Sequence, residues 1–257
     1  MLRTLGTRLA TLGCLWAVGA AVPGEAGAQG GARASAPPGQ DLTGTWVAVV
    51  TQYWHLRMTL PPKGEYTMLP LNDAATRVAD AWQPADDADD ACRAYGAAAI
   101  MRIPGRLRIL WADDDTLQID IDSGSQTRLL RFGAPADPGP PSLQGYSAAV
   151  WEAAPLWGRS VGADQPPPGA ARYLRVTTTN MTPGYLRKNG VPYSAETILQ
   201  EHFDTFTEPN GETWLVVTSI ITDPAYLTRP YAVTNHFKRV PDGSGWDPTP
   251  CRVDRPR

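Results

Sequence analysis

Apolar residues recur at every second position through the middle of the chain. Leu107, Ile109 and Trp111 alternate with Arg106, Arg108 and Leu110, and Leu117, Ile119 and Ile121 alternate with Gln118, Asp120 and Asp122. A period of two marks a strand with one face buried. Asp113-Asp114-Asp115 and Ser123-Gly124-Ser125 supply turns, and the second leads into another strand over 126–132. Pro104-Gly105 separates this set from a run at 98–103, so the pattern predicts a four-strand meander.

The same reading predicts a first strand from Leu42-Thr43-Gly44-Thr45-Trp46 through Val47, Val49 and Val50. A second piece over 55–60 stops at Pro61-Pro62. Later strands are expected at 145–152, 172–179, 196–207, 213–222 and 233–240, with Pro/Gly-rich loops at 133–142 and 162–171. One helix stands out. Asn72 is a good N-cap, Ala74, Ala75, Val78 and Trp82 follow at helical spacing, and Pro84 ends the run. No helix alternates with the strands, so antiparallel neighbours are expected. About nine or ten such strands would leave hazardous free edges in an open sheet. The predicted fold class is all-β: a single antiparallel barrel, calycin-like, with one short inserted helix.

The first residues break this pattern. Arg3 and Arg8 flank the start of an apolar run over 9–22, Pro23 and Gly24 interrupt it, and Ala26-Gly27-Ala28 offers small residues at −3 and −1. This is the layout of a secretory signal peptide, and the run is too short to span a membrane in the mature chain. The expected organisation is a signal peptide over 1–28, a flexible linker over 29–40 and one β domain over 41–257, periplasmic or secreted. Cys14 lies inside the apolar run, so soluble export is expected over a lipid anchor at that residue.

Without Arg3, Arg8 and Glu25, the 23 basic and 26 acidic residues become 21 and 25, a net charge of −4. Such a surface has no bulk attraction for nucleic acid or anionic lipid. Two cysteines remain in the mature chain, Cys92 and Cys251, with no CxxC and no neighbouring histidine. An oxidising compartment then predicts one disulfide, which would tie the Pro-rich tail to the first third of the domain.

Candidate chemistry is sparse. The strand at 196–207 places Thr197, Leu199, Glu201, Phe203 and Thr205 on one face and Ile198, Gln200, His202, Asp204 and Phe206 on the other. If Glu201 points into a barrel, burial favours its protonated form and makes it a candidate acid or base; on the rim it is an ordinary surface residue. His55, His202 and His236 share no ligand spacing, and no metal is expected. Asp86, Asp87, Asp89 and Asp90 lack the glycine turn and distant Glu of a calcium loop and read as a solvated turn. No GxSxG and no phosphate-binding glycine pattern occurs, and no cofactor is expected. Two loops, 181–193 and 223–231, carry Tyr185, Arg187, Tyr193, Tyr226, Arg229 and Tyr231, the candidate ligand-binding residues. Tyrosine beside arginine suits flat polar ligands.

Gly44-Thr45-Trp46 at the head of the first strand resembles the GxW of lipocalins, in which the tryptophan closes the barrel bottom. A wider resemblance, over nearly the whole mature chain, is to uncharacterised exported proteins of environmental bacteria. It rests on WVAVVTQYWHLRM at 46–58, PPKGEY at 61–66, AIMRIPGRLRILW at 99–111, TTNMTPGYLRKNGVPYS at 178–194 and DPAYL at 223–227. It implies one domain and carries no reaction. Three functions follow as expectations. One is a barrel protein binding a small, largely apolar ligand. Another is a cavity enzyme of isomerase, cyclase or hydrolase type, using Glu201 as acid or base. The third is an envelope protein binding partners through Tyr185, Tyr193, Tyr226 and Tyr231.

Overall fold

The computed structural model describes residues 37, 40–134, 136–153 and 172–256. The expected signal peptide over 1–28, with Cys14, most of the linker over 29–40 and the loop at 162–171 lie outside the described residues.

The strands in chain order are β1 (Gly44–Val49), β2 (Arg106–Trp111), β3 (Thr116–Ile121), β4 (Gln126–Arg131), β5 (Tyr146–Ala153) and β6 (Arg172–Thr179), followed by β7 (Gly184–Arg187), β8 (Val191–Tyr193), β9 (Ile198–Thr207), β10 (Thr213–Thr222) and β11 (Tyr231–Arg239). Nine of them close into a barrel in the order β1-β11-β10-β9-β6-β5-β4-β3-β2. The predicted all-β barrel is therefore present. Every neighbouring pair is antiparallel except β4–β5, where Leu130 faces Ser147 and Arg131 faces Ala148 in parallel. The exception follows from closure, because an odd ring of strands cannot have every neighbour antiparallel.

Alternation sends Leu107, Ile109, Leu117, Ile119, Leu174, Val176, Phe203, Leu215, Val217 and Phe237 into the barrel, where they form one buried cluster. Each such side chain contributes about 1.5–3 kcal/mol by leaving water. Trp46 has no exposed surface; its Nε1 donates to the Leu42 carbonyl at 2.9 Å, and the Arg239 guanidinium lies 4.9 Å over its ring. Gln40 belongs to the fold rather than to a linker. Its amide donates to Asp204 at 3.0 Å, and its Oε1 accepts from the Thr205 hydroxyl at 3.3 Å.

Among the described residues three short α-helices accompany the sheet: α1 (Trp54–Arg57), α2 (Asp73–Ala81) and α3 (Ala97–Ile100). The helix expected after Asn72 is α2, and the Asn72 side chain accepts from the Ala75 N–H at 2.9 Å. The strand expected at 55–60 is replaced by α1, because Leu56 and Arg57 are both buried and consecutive strand residues would face opposite ways. Likewise 98–103 begins in α3, where four successive residues are buried, so the meander has three strands, β2 to β4. The expected loop at 181–193 contains the antiparallel pair β7–β8. Its turn carries Gly190 at φ 79°, where a Cβ would lie 2.2 Å from the Trp82 ring.

The α2 helix, α3 and the β7–β8 hairpin pack through Ala79, Ala97, Leu186 and Tyr193 onto Leu199, Ile221 and Val233, capping the end where β9 begins and β10 ends. The tail crosses this cap. Cys92 and Cys251 are joined with Cα atoms 5.1 Å apart, and the Tyr95 hydroxyl bridges the amide and carbonyl of Arg252. The acidic run is not simply solvated: Asp87 is buried and accepts from the Trp82 indole at 2.8 Å, an acceptor that a buried indole N–H requires. Among the described residues no helix is long and apolar enough to cross a membrane.

Candidate functional site

Glu201 does point into the barrel. It has no exposed surface and takes two hydrogen bonds from Arg128, at 3.1 and 2.5 Å, in a bidentate pair that is itself fully buried. Arg128 also donates to the Thr178 hydroxyl at 3.3 Å, which pairs with Ser147 at 2.8 Å. The neighbouring interior residues Leu130, Leu174, Val176 and Phe203 are likewise without exposed surface. This layer is closed to water, so Glu201 has a partner but no space for a reacting atom beside it. The same filling leaves no room for an apolar ligand around that layer.

The candidate loop residues separate. Tyr185 is buried against Trp82 and under the Arg93 guanidinium, 4.4 Å from its ring centre, and burial beside Asp87 pushes its hydroxyl up to about 12. Tyr193 is enclosed under Gly96 and Gly184, and burial raises its pKa. Tyr226 is half-buried in a loop organised by Asp223, whose carboxylate accepts from Ser194, Thr197 and Ala225 at 2.7 to 2.9 Å. Tyr231 is also buried, so these four tyrosines do not form an exposed contact patch. Arg229 is exposed and, with Tyr231, lines a hollow of ≈ 180 Å³. Arg187 alone enters a different cleft. His55, His202 and His236 stand on α1, β9 and β11, and among the described residues no three metal-binding side chains gather.

The cleft around Arg187 gathers the most unusual chemistry in the cap. Its ≈ 40 Å³ of free volume is lined by Arg57 from α1, Arg102 just after α3, Arg187 and Lys188 from the β7 end, and Pro256 of the tail. The three arginines are 4 %, 8 % and 6 % exposed. Arg57 donates through Nε to the Arg102 carbonyl at 2.8 Å, while both of its Nη atoms lack a partner among the described residues. Arg102 Nη1 and Arg187 Nε are buried and unpartnered as well. Arg187 spends its Nη atoms on the carbonyls of Glu65 and Thr67, at 3.3 and 2.8 Å. Lys188 donates to the Tyr95 hydroxyl and to the carbonyls of Arg252 and Arg255.

No carboxylate within ion-pair distance balances these four cations among the described residues. Two acids whose charge acts on Arg187 and Lys188 are engaged elsewhere: Glu65 accepts the Thr67 N–H at 2.8 Å, and Asp254 takes both Arg252 donors at 3.0 Å. Burial, reinforced by repulsion from Arg102, lowers Arg57 to about 10. Burial also lowers Arg102, with Arg187 adding to the shift against the opposing pull of Tyr231, and brings Lys188 down to about 7. Buried donors without acceptors cost free energy and mark places where an acceptor belongs. Arg57 and Arg102 were not among the sequence candidates, and Lys188 was passed over beside its neighbour Arg187. The signal of the two arginines was a basic residue set between apolar neighbours, LRM at 56–58 and MRI at 101–103.

A broader groove of ≈ 510 Å³ lies on the outer face of the barrel around Tyr173, His202 and Phe206. It holds no buried unpartnered group. Comparison with protein-family models, with curated proteins and with solved structures finds no match.

Proposed function

We propose that this is an exported barrel protein that binds a small molecule through an anionic group seated between Arg57, Arg102, Arg187 and Lys188. The observation that carries this reading is the Arg57 guanidinium: buried, flanked by like charge and short of two acceptors. An uncompensated buried charge is strongly unfavourable, whereas a carboxylate or tetrahedral oxyanion would accept from several guanidinium N–H groups at once. The cap, rather than the filled barrel interior, then holds the ligand, and an acidic group replaces the largely apolar character expected from the sequence. Export is supported by the leader sequence and by the Cys92–Cys251 disulfide.

Thermal unfolding in sulfate and in chloride at matched ionic strength tests the reading. Binding at 100 times Kd adds about 2.7 kcal/mol to stability. Sulfate should raise the Tm of the native protein well above its effect on Arg57→Met. Because sulfate also strengthens apolar burial generally, an equal rise in both proteins would reject the site.

A further inference from the structure

The cleft is small and it has a neighbour. About 10–15 Å³ of free volume houses one water, so ≈ 40 Å³ accommodates a compact head group and little else. The ≈ 180 Å³ hollow beside it is lined by Tyr53, Met68, Pro70, Arg229 and Tyr231. Arg102 lies near both spaces: it lines the cleft, and its guanidinium is 5.8 Å from the ring centre of Tyr231, which lines the hollow. The Tyr231 hydroxyl is buried without a partner among the described residues.

Backbone strain collects at the same place. Tyr53 and Met68 both hold left-handed conformations, at φ 50° and 72°, and both line the hollow. Such conformations are strained for residues other than glycine and gather at ligand sites. Met68 nevertheless leaves 57 % of its surface exposed at the mouth. A cavity of about 150 Å³ takes one benzene ring, so the hollow has the capacity of a single six-membered ring.

We propose, on the basis of the anion-binding reading above, that the ligand is a phosphate or sulfate monoester of one flat ring. Its oxyanion occupies the cationic cleft and its ring occupies the hollow beside Tyr53 and Tyr231. The head is tetrahedral because the unsatisfied donors come from three separate elements, at Arg57, Arg102 and Arg187. Oxygens pointing in several directions meet them better than the two coplanar oxygens of a carboxylate. The ring lies against tyrosine and methionine, whose faces suit a flat apolar body.

Calorimetric titration of the disulfide-intact mature protein separates the alternatives. The probes are phenyl phosphate, phenyl sulfate, inorganic phosphate, sulfate and benzoate. At least one aryl ester should bind more than about tenfold tighter than its parent anion and than benzoate, and the better ester identifies the head group. Ala232→Trp, a substitution at an exposed position that fills the hollow, should remove that advantage and leave the parent anion's Kd within about threefold. If that variant fails to fold, the wild-type ratios still decide. Esters no tighter than their parent anions, or benzoate equal to the esters, would overturn this inference while the anion site stood. No binding by any probe would overturn both.

Discussion

Arg57 donates its Nε–H to the main-chain carbonyl of Arg102 at 2.8 Å, which fixes two buried guanidinium groups as neighbours. The bond positions the Arg57 side chain without neutralising it, and its two Nη groups have no partner among the described residues. The fold therefore carries an electrostatic cost that contacts among the described residues do not offset.

That cost sets the first prediction. An uncompensated buried charge is strongly unfavourable, so replacing it by an apolar side chain of similar length removes that cost. Arg57→Met should unfold at an equal or higher urea midpoint than the native protein when no multivalent anion is present. A loss of more than about 2 kcal/mol would mean that the guanidinium holds the cap together by itself.

Lys188 gives a pH prediction with a definite sign. Its folded pKa is about 7, below the ordinary 10.5, because burial disfavours the ammonium while Asp254 partly opposes. Between those values the unfolded chain binds a proton that the folded chain does not, so this group makes stability rise with pH across the window. Sulfate affinity runs the opposite way. A bound anion favours the ammonium, so affinity should fall as pH climbs past about 7 and continue to fall until the lysine in the complex has also lost its proton. Sulfate keeps one charge state throughout, so the slope belongs to the protein. Lys188→Met should flatten both profiles, and unchanged profiles would remove Lys188 from the site.

The Arg128–Glu201 pair predicts a strong non-additivity. Both side chains are fully buried, and removing one partner strands the other in an apolar layer. Glu201→Gln should cost about 3–5 kcal/mol in urea unfolding, while Arg128→Met with Glu201→Leu should cost clearly less. A double variant as unstable as the sum of its single variants would show the two residues to be uncoupled.

The disulfide spans 159 residues and fixes the tail that supplies Pro256 and two of the carbonyls around Lys188. Cys92→Ser with Cys251→Ser should lose about 2–5 kcal/mol of stability. Amide exchange should quicken over 249–256 and stay slow in β9 and β10. Uniformly quickened exchange would mean that the tail is part of the barrel's cooperative unit.

The barrel was legible because β2 and β3 keep close to a period of two in sequence as well as in burial. β9 alternates in burial but not in sequence, because polar Glu201 and Thr205 share its buried face with Leu199 and Phe203. The cap was not, because its elements are short and buried on several sides. The run at 97–100 is apolar throughout and carries no period, so strand and helix look alike there. The β7–β8 turn did leave a mark: Asn189-Gly190 is a strong hairpin signal, obscured by Pro183 and Pro192 on either side. Glu201's inward face could be read from alternation, but its partner Arg128 lies 73 positions away and only strand order joins them. The cationic cleft draws Arg57, Arg102 and Arg187 from three segments with no common spacing, so tertiary folding alone reveals it.

Diffraction from crystals of the protein grown with selenate, recorded at the selenium edge, tests the anion site most directly. The expected result is an anomalous peak in the cleft, within hydrogen-bonding distance of the Arg57 Nη atoms and of Arg102 or Arg187. Selenate bound elsewhere on the surface, with a protein carboxylate seated against Arg57 in its place, would contradict the site.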